Sequence, residues 1–240
     1  MAEKKVTTGT EEQAVFMRAR GFWENYSRPI IYIGSAIILI IAGWFGYKYF
    51  IKIPKERKGN VAIFMAETIF DKMANAGFNK DSVVIILNGG EIEGMKVTGL
   101  LSVIKNYGST NAGNRARYMA GATYLNIKDY EKAVKYLKDF ESNGAYQIES
   151  KADILLGHAY AEQKKTDDAL KYYIKASEVN DKDDVISSDA LLLAASYADA
   201  TSKNDEAIKL YQKLKDNYPS NSAVRSGEID KYLARLGVLK

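Results

Sequence analysis

The sequence predicts an all-α protein, a solenoid of stacked helical hairpins preceded by a single apolar helix. Three observations lead there. A pattern of Gly, Tyr and Ala at fixed spacing recurs through the second half of the chain; the 19 residues Pro29–Tyr47 carry no charge; and the one β-branched run that reads as a strand has no partner strand anywhere in the sequence.

The repeating unit is clearest in NRARYMAGATYLNIKDYEKAVKYLKDF, Asn114 to Phe140. Gly121, Tyr124, Ala133 and Leu137 fall at positions 8, 11, 20 and 24 of a 34-residue tetratricopeptide repeat (TPR), which sets the first repeat at 114–147. Each position has a steric task. Gly121 lacks a Cβ, so the second helix can approach the first; Tyr124 and Leu137 supply apolar bulk on the facing stripes, and Ala133 is small enough for the crossing. Asp129 is placed to cap the second helix. Gly157, Tyr160, Ala169, Tyr173 and Ala176 repeat the pattern over 150–183, with Thr166 and Asp167 opening the second helix. A third copy, 187–220, carries Leu193, Ala194, Tyr197, Ala207, Tyr211 and Leu214 and ends at Pro219, with a turn over Thr201–Asp205 one residue longer than the others. The copies diverge from the pattern: position 4 holds Arg117, Asp153 or Ala190, and Ala194 stands in for glycine.

Composition narrows the function classes. With 47% hydrophobic and 27% charged residues, 240 residues suffice for a folded core. The chain has no cysteine, which removes disulfides, thiolate metal sites and cysteine nucleophiles. Ten Lys/Arg face five Asp/Glu up to Lys58, against 24 and 25 beyond it, so the whole basic excess flanks the uncharged stretch. Cations in that arrangement belong to a membrane anchor rather than a nucleic-acid surface, and no nucleic-acid partner is expected.

In chain order, the first ten residues read as a mobile polar tail, and 1–29 as a tail with an interfacial helix. Within Glu11–Tyr26, Phe16, Phe22, Trp23 and Tyr26 can lie at a membrane surface while Arg18 and Arg20 meet lipid phosphates; the alternative is a flanking segment whose aromatics only mark the interface. The transmembrane helix is placed at 30–50. At 1.5 Å per residue the uncharged stretch covers roughly 28 Å, close to a bilayer's hydrocarbon thickness. No small-x-small cleavage site follows, so the segment reads as a retained anchor. Ala42 and Gly46 form a small-xxx-small pair through which two such helices could pack as a homo-dimer. Five Lys/Arg precede the span and five follow it, so charge leaves the orientation open.

Residues 51–59, around Pro54, read as a linker, and 60–240 as the TPR-like domain. Ile63, Ala66, Ile69, Phe70 and Met73 recur at helical spacing. DSVVIIL at 81–87 reads as a buried helical turn for want of a partner strand, broken by the glycines that follow. Val97, Leu100, Leu101, Ile104 and Tyr107 mark another helix, after which Ser109 and Thr110 are placed to cap the first repeat. A last helix at about 222–237, with Val224, Ile229, Tyr232, Leu233 and Leu236, covers the open apolar end of the stack.

The single span, NGG before GMKVTGLLSVIKNYGSTNAGNRARYMAGATYL, the units DYEKAVKYLKDF and DDALKYYIKA, and then DEAIKLYQKLKDNYPSNSA and EIDKYLARL resemble the membrane-anchored bacterial TPR proteins related to the ancillary subunit of the SecYEG translocon. That resemblance, covering most of the chain beyond Pro29, implies a cytoplasmic N-terminus, one pass through the inner membrane and a TPR domain in the periplasm. It implies protein partners, SecYEG or periplasmic chaperones and clients among them, and no catalytic residues. The other readings are a cell-envelope scaffold for division or outer-membrane assembly, and a structural membrane protein that self-associates.

The residues themselves offer little chemistry. His158 is the one histidine, so neither a triad nor a zinc site can be assembled around it. Asp181, Asp183 and Asp184 lack the glycine and terminal glutamate of a calcium loop, and Gly89–Gly90 lacks the GK[ST] of a phosphate loop. No cofactor, metal or enzymatic activity is expected. Positions 2, 5, 9, 12 and 13 of each first helix line the concave face of such an array. They supply Arg115, Tyr118 and Leu125 from the first repeat, Lys151, Ile154, His158 and Glu162 from the second, and Leu191 from the third. This mixed groove suits an extended or helical peptide. The alternative is a face that is merely solvated.

Overall fold

The computed structural model describes residues 8–92, 94–180 and 183–238, and the chain divides into two compact units, Met1–Lys55 and Glu56–Lys240. Residues 1–7 of the expected tail and Asp181 of the acidic run lie outside the described residues.

The first unit is built on α1 (Thr8–Tyr47), 40 residues long with Pro29 in its interior, followed by a π-helical turn at Lys48–Lys52. It is long and apolar enough to cross a membrane, and none of its most apolar stretch is buried by protein. The helix starts well before the predicted span, so the last three residues of the expected tail are helical. At the far end Trp44 meets Phe45 edge-on at 4.9 Å, and the Lys48 ammonium sits 5.0 Å from the Trp44 ring. An aromatic and cationic collar of this kind suits the boundary between an apolar and a wet medium.

The predicted linker at 51–59 is instead helical. The π turn leads directly into α2 (Ile53–Ala76), where Pro54 stands in the first turn, a place that tolerates a missing N–H. Ile63, Ala66, Ile69 and Met73 are buried on one face of α2, as their spacing predicts. Gly59 lets α2 close on the segment at Thr110, since a Cβ there would lie 3.0 Å from Thr110 Oγ1.

After α2 comes α3 (Lys80–Asn88), whose Asn79 cap accepts from the Ser82 N–H; the β-branched run is helical, as read. Strand pairing, which the sequence does not lead one to expect, is nevertheless present close by. Strands β1 (Gly90–Ile92) and β2 (Met95–Val97) pair antiparallel, Ile92 opposite Met95, with Gly94 at φ +76° in the turn. Three-residue strands are too short for alternation to register. Gly89 and Gly99 permit the backbones at the hairpin's base to meet: a Cβ on Gly99 would overlap the Gly89 nitrogen.

α4 (Leu100–Tyr107) leads into the repeats, α5 (Asn111–Asn126) with α6 (Tyr130–Lys138), α7 (Tyr146–Glu162) with α8 (Thr166–Glu178), and α9 (Asp184–Ala200) with α10 (Asn204–Asn217). Thr110 accepts from the Gly113 N–H and Asp129 from the Lys132 N–H, both in their predicted capping roles. Each hairpin turns through three residues, and the middle one is left-handed: Lys128, Lys164 and Ser202, with φ between 59° and 65°.

That shared turn corrects the third repeat. Gly121 and Gly157 stand seven residues before the left-handed residue, and in the third repeat that place belongs to Ala195, not Ala194. The turn is not longer; the first helix of the third repeat lies one residue later in register than the spacing predicts. Tyr197 offers a tyrosine near position 11 in the sequence, whereas position 11 in the structure is the fully buried Ala198. The first two repeats keep a tyrosine there. Tyr124 stacks on Tyr136 at 5.5 Å and Tyr160 on Tyr172 at 5.4 Å. Tyr197 instead meets the Tyr173 ring of the second repeat, edge-on at 5.1 Å.

The expected single closing helix is two, α11 (Ser222–Arg225) and α12 (Glu228–Arg235), separated by Gly227 at φ +73°. α12 buries Ile229 and Leu233 against the last repeat and lays Tyr232 over Tyr211 at 5.2 Å. A Cβ on Gly121 would sit 2.5 Å from Leu137 Cγ, and one on Gly157 would overlap the Tyr173 ring. Gly121→Leu should therefore lower stability by about 1–3 kcal/mol through overpacking. Urea unfolding of the TPR unit measures it; an unchanged midpoint would mean that the two helices can separate freely at this point.

Candidate functional site

First helices of adjacent repeats touch one another, α5 with α7 and α7 with α9, while α6 packs between α5 and α7, α8 between α7 and α9, and α10 between α9 and α12. The first helices thus line the inner side of the array, and the site has to be built on them.

A cleft of about 600 Å³ opens at the head of this inner side. Four segments wall it: α2 through Glu67, Phe70 and Asp71, α5 through Asn114, Arg115, Tyr118 and Met119, the α6–α7 loop through Phe140 and Ser142, and the first turn of α7 through Ile148. Met119 is buried in the floor, and Tyr118 meets Phe140 at 5.6 Å between ring centres. Burial raises the Tyr118 phenol pKa, so the ring presents a neutral hydroxyl. Asn114 holds the loop: its carbonyl oxygen accepts from the Glu141 N–H at 2.9 Å, and its amide donates back to the Glu141 carbonyl. Arg115 donates to Glu67 at 2.6 Å and to Asn60 at 3.2 Å, so α2 already occupies the guanidinium. The rim is acidic, with Glu67, Asp71 and Glu141 against the single Arg115.

Of the eight groove residues predicted, the fold brings Arg115 and Tyr118 together in this cleft. Leu125, Ile154 and His158 are partly buried further along the first helices, and Lys151 and Glu162 are exposed to differing degrees, Glu162 accepting from the Tyr130 hydroxyl at 3.0 Å. Leu191 is fully buried in the core and cannot line a groove. The one-residue register shift explains it: the equivalent positions are Asp189, Leu192, Ser196 and Asp199, each with accessible surface. Sequence reasoning also missed Phe70, Phe140 and Ile148. Phe140 carried a signal, as the large residue at position 27 facing the next hairpin. The α2 contribution carried none, because it lies outside the repeat.

His158 is a packing residue with one polar bond. The Tyr173 hydroxyl and His158 Nδ1 share a hydrogen bond of 2.8 Å, and the rings meet edge-on at 5.4 Å. Burial lowers the His158 pKa, partly offset by Glu162, and it raises that of Tyr173. Asp153, at position 4 where a large apolar residue is usual, is buried with one oxygen on Lys175 at 3.0 Å and the other without a partner. Desolvation raises its pKa, and Lys175 opposes the shift. Among the described residues no group of three or more His, Asp or Glu could hold a metal ion.

Residues 154–222 match a tetratricopeptide repeat family model, and residues 115–140 match a second tetratricopeptide repeat model. No curated protein and no solved structure matches the chain. Repeats of this family form protein–protein interaction modules, and the cleft has the make-up of one: an apolar floor, aromatic walls and a charged rim.

The His158 shift has a defined sign. A histidine whose folded pKa is depressed takes up its proton more readily once unfolded, so its contribution is complete above about pH 6.5 and declines as pH falls toward the folded value. Thermal unfolding of the TPR unit between pH 7.5 and 5.5 should show the melting temperature falling with pH. His158→Gln should flatten that slope; an identical slope in the variant would assign the dependence to carboxylates.

Proposed function

We propose that the chain is a membrane-tethered protein-interaction module, with α1 in the bilayer and the TPR unit holding segments of partner proteins from the Tyr118 cleft along the first helices. The observation that carries the reading is the cleft itself. It joins the leading helix, the first repeat and the inter-repeat loop at one end of an inner face lined by successive first helices. A bilayer is the medium that suits α1, whose uncharged stretch has no protein to cover it.

The lining indicates the kind of segment bound. Phe70, Tyr118, Met119, Phe140 and Ile148 suit an aromatic or branched aliphatic side chain, and the excess of rim carboxylates favours lysine or arginine beside it. The module works without catalysis in this reading. The finer assignment, a bacterial inner-membrane protein with its TPR unit in the periplasm near the Sec translocon and its clients, rests on the sequence resemblance.

A photo-crosslinking amino acid at Tyr118, activated in intact membranes, should trap a partner, whereas one at Lys171 on the exposed side of α8 should not. With the trapped partner purified, Tyr118→Ala should weaken binding by roughly thirtyfold, about 2 kcal/mol, and Lys171→Ala should leave it unchanged. Equal affinities for both variants and wild type would remove the cleft as the binding site. For orientation, protease added to spheroplasts should digest the TPR unit while cytosolic controls survive. Protection until lysis would place the unit in the cytosol.

A further inference from the structure

The 40 residues of α1 are about 60 Å of helix, twice the hydrocarbon thickness of a bilayer, and Pro29–Tyr47 alone is long enough to cross it. The preceding segment, Gln13–Arg28, is therefore left over by the tethering role. It is not an ordinary polar extension. At 100° per residue, Val15, Phe16, Ala19, Phe22, Trp23 and Tyr26 fall within one arc of about 120°. The five large members are each between 53% and 70% exposed. Phe22 and Tyr26 already touch, with ring centres 4.9 Å apart. Arg18 borders the arc on one side and Arg20 on the other, while Arg28 stands at the junction with the span. The one acid in this segment, Glu24, takes an exposed contact from Arg20 at 2.9 Å, a pair worth little in water.

We propose that Gln13–Arg28 is a second membrane contact, a helix lying in the interface of an anionic lipid leaflet beside the span it precedes. The proposal rests on α1 crossing a bilayer. Its occupant follows from charge and position. Two arginines bracketing an aromatic stripe place their guanidinium groups at phosphate level when the stripe enters the acyl boundary, and the side-chain stems bury alongside it. Covalent continuity with Pro29 holds the segment at that depth. Pro29 has no N–H to give the Asn25 carbonyl, so the helix axis bends there more readily than elsewhere, which lets the segment turn from the membrane normal onto the surface. A second copy is a poorer occupant. Pairing two such faces in parallel would bring the flanking arginines of both copies together, with Glu24 alone to offset them.

The chain's two tryptophans separate the two contacts. In the full chain reconstituted into vesicles, Trp44→Phe leaves Trp23 as the sole reporter of the segment, and Trp23→Phe leaves Trp44 as the reporter of the span. The expected result is blue-shifted Trp23 emission, resistant to aqueous iodide and quenched by lipids brominated near the head-group end of their acyl chains. The quenching should be stronger in phosphatidylglycerol than in phosphatidylcholine vesicles. Arg18→Glu with Arg20→Glu should abolish that lipid preference without changing the Trp44 signal. Trp23 open to iodide while Trp44 is quenched by lipid would overturn the surface helix and leave the span standing. Trp23 shielded from both quenchers would show a protein occupant, a second copy, in place of lipid. A Trp23 signal indifferent to the charge reversal would overturn the role given to the arginines. Trp44 insensitive to brominated lipid would overturn the membrane tether and this inference with it.

Discussion

Two antiparallel helices can bury a shared apolar seam only if their backbones come close where they cross, and everything in the repeat unit follows from how that approach is achieved. Gly121 faces Leu137 and Gly157 faces Tyr173, and in the third repeat the equivalent positions are held by Ala195 and Tyr211, both buried in the same core. The partner side chain fills the space that a Cβ would claim, so the small residue and the large one are a single steric unit. Tyr173 is large enough to cover Gly157, reach His158 with its hydroxyl and still meet Tyr197 of the next repeat, coupling adjacent hairpins through one ring. The left-handed residue in each turn then sets hairpin length, fixing which residue of the first helix meets which residue of the second.

A stack of such hairpins leaves an apolar surface at each end, and the two ends are closed differently. α12 seals the last repeat with Ile229, Leu233 and Tyr232, and Lys215 pairs with Asp230 at 2.7 Å. The leading end is covered by α2, α3 and α4, with the small hairpin between the last two. α2 is held there by Gly59 against Thr110, by Glu56 accepting from the Asn111 N–H at 3.0 Å and by Glu67 on Arg115. That closure leaves the Tyr118 cleft open beside it, so a concave surface arises where a non-repeat helix meets the repeat array.

In the proposed role, tethering matters energetically as well as spatially. A cleft with one aromatic-walled pocket and a solvated rim gives modest affinity by itself. Confinement to a membrane that also carries the partner raises the effective concentration, and a weak contact then suffices.

How much was legible follows from the range of each interaction. Intrahelical periodicity, capping by Thr110 and Asp129, the uncharged stretch in α1 and the Gly–Tyr–Ala spacing are local properties, and the sequence by itself determined an all-α repeat with its first two registers. It failed where two local patterns competed. Ala194–Tyr197 and Ala195–Ala198 both fit the first helix of the third repeat, and only packing against α10 selects the second, burying Leu191 and turning Leu192 outward. Two other features are local yet too brief to leave a pattern: two three-residue strands paired across Gly94, and a single left-handed residue, Gly227, that splits the closing helix. The cleft is the extreme case. Tyr118 and Arg115 could be named from the repeat pattern, but Phe70 and Glu67 precede them by about fifty residues in a helix outside the repeat, and only the tertiary closure of α2 onto α5 brings the two sets together.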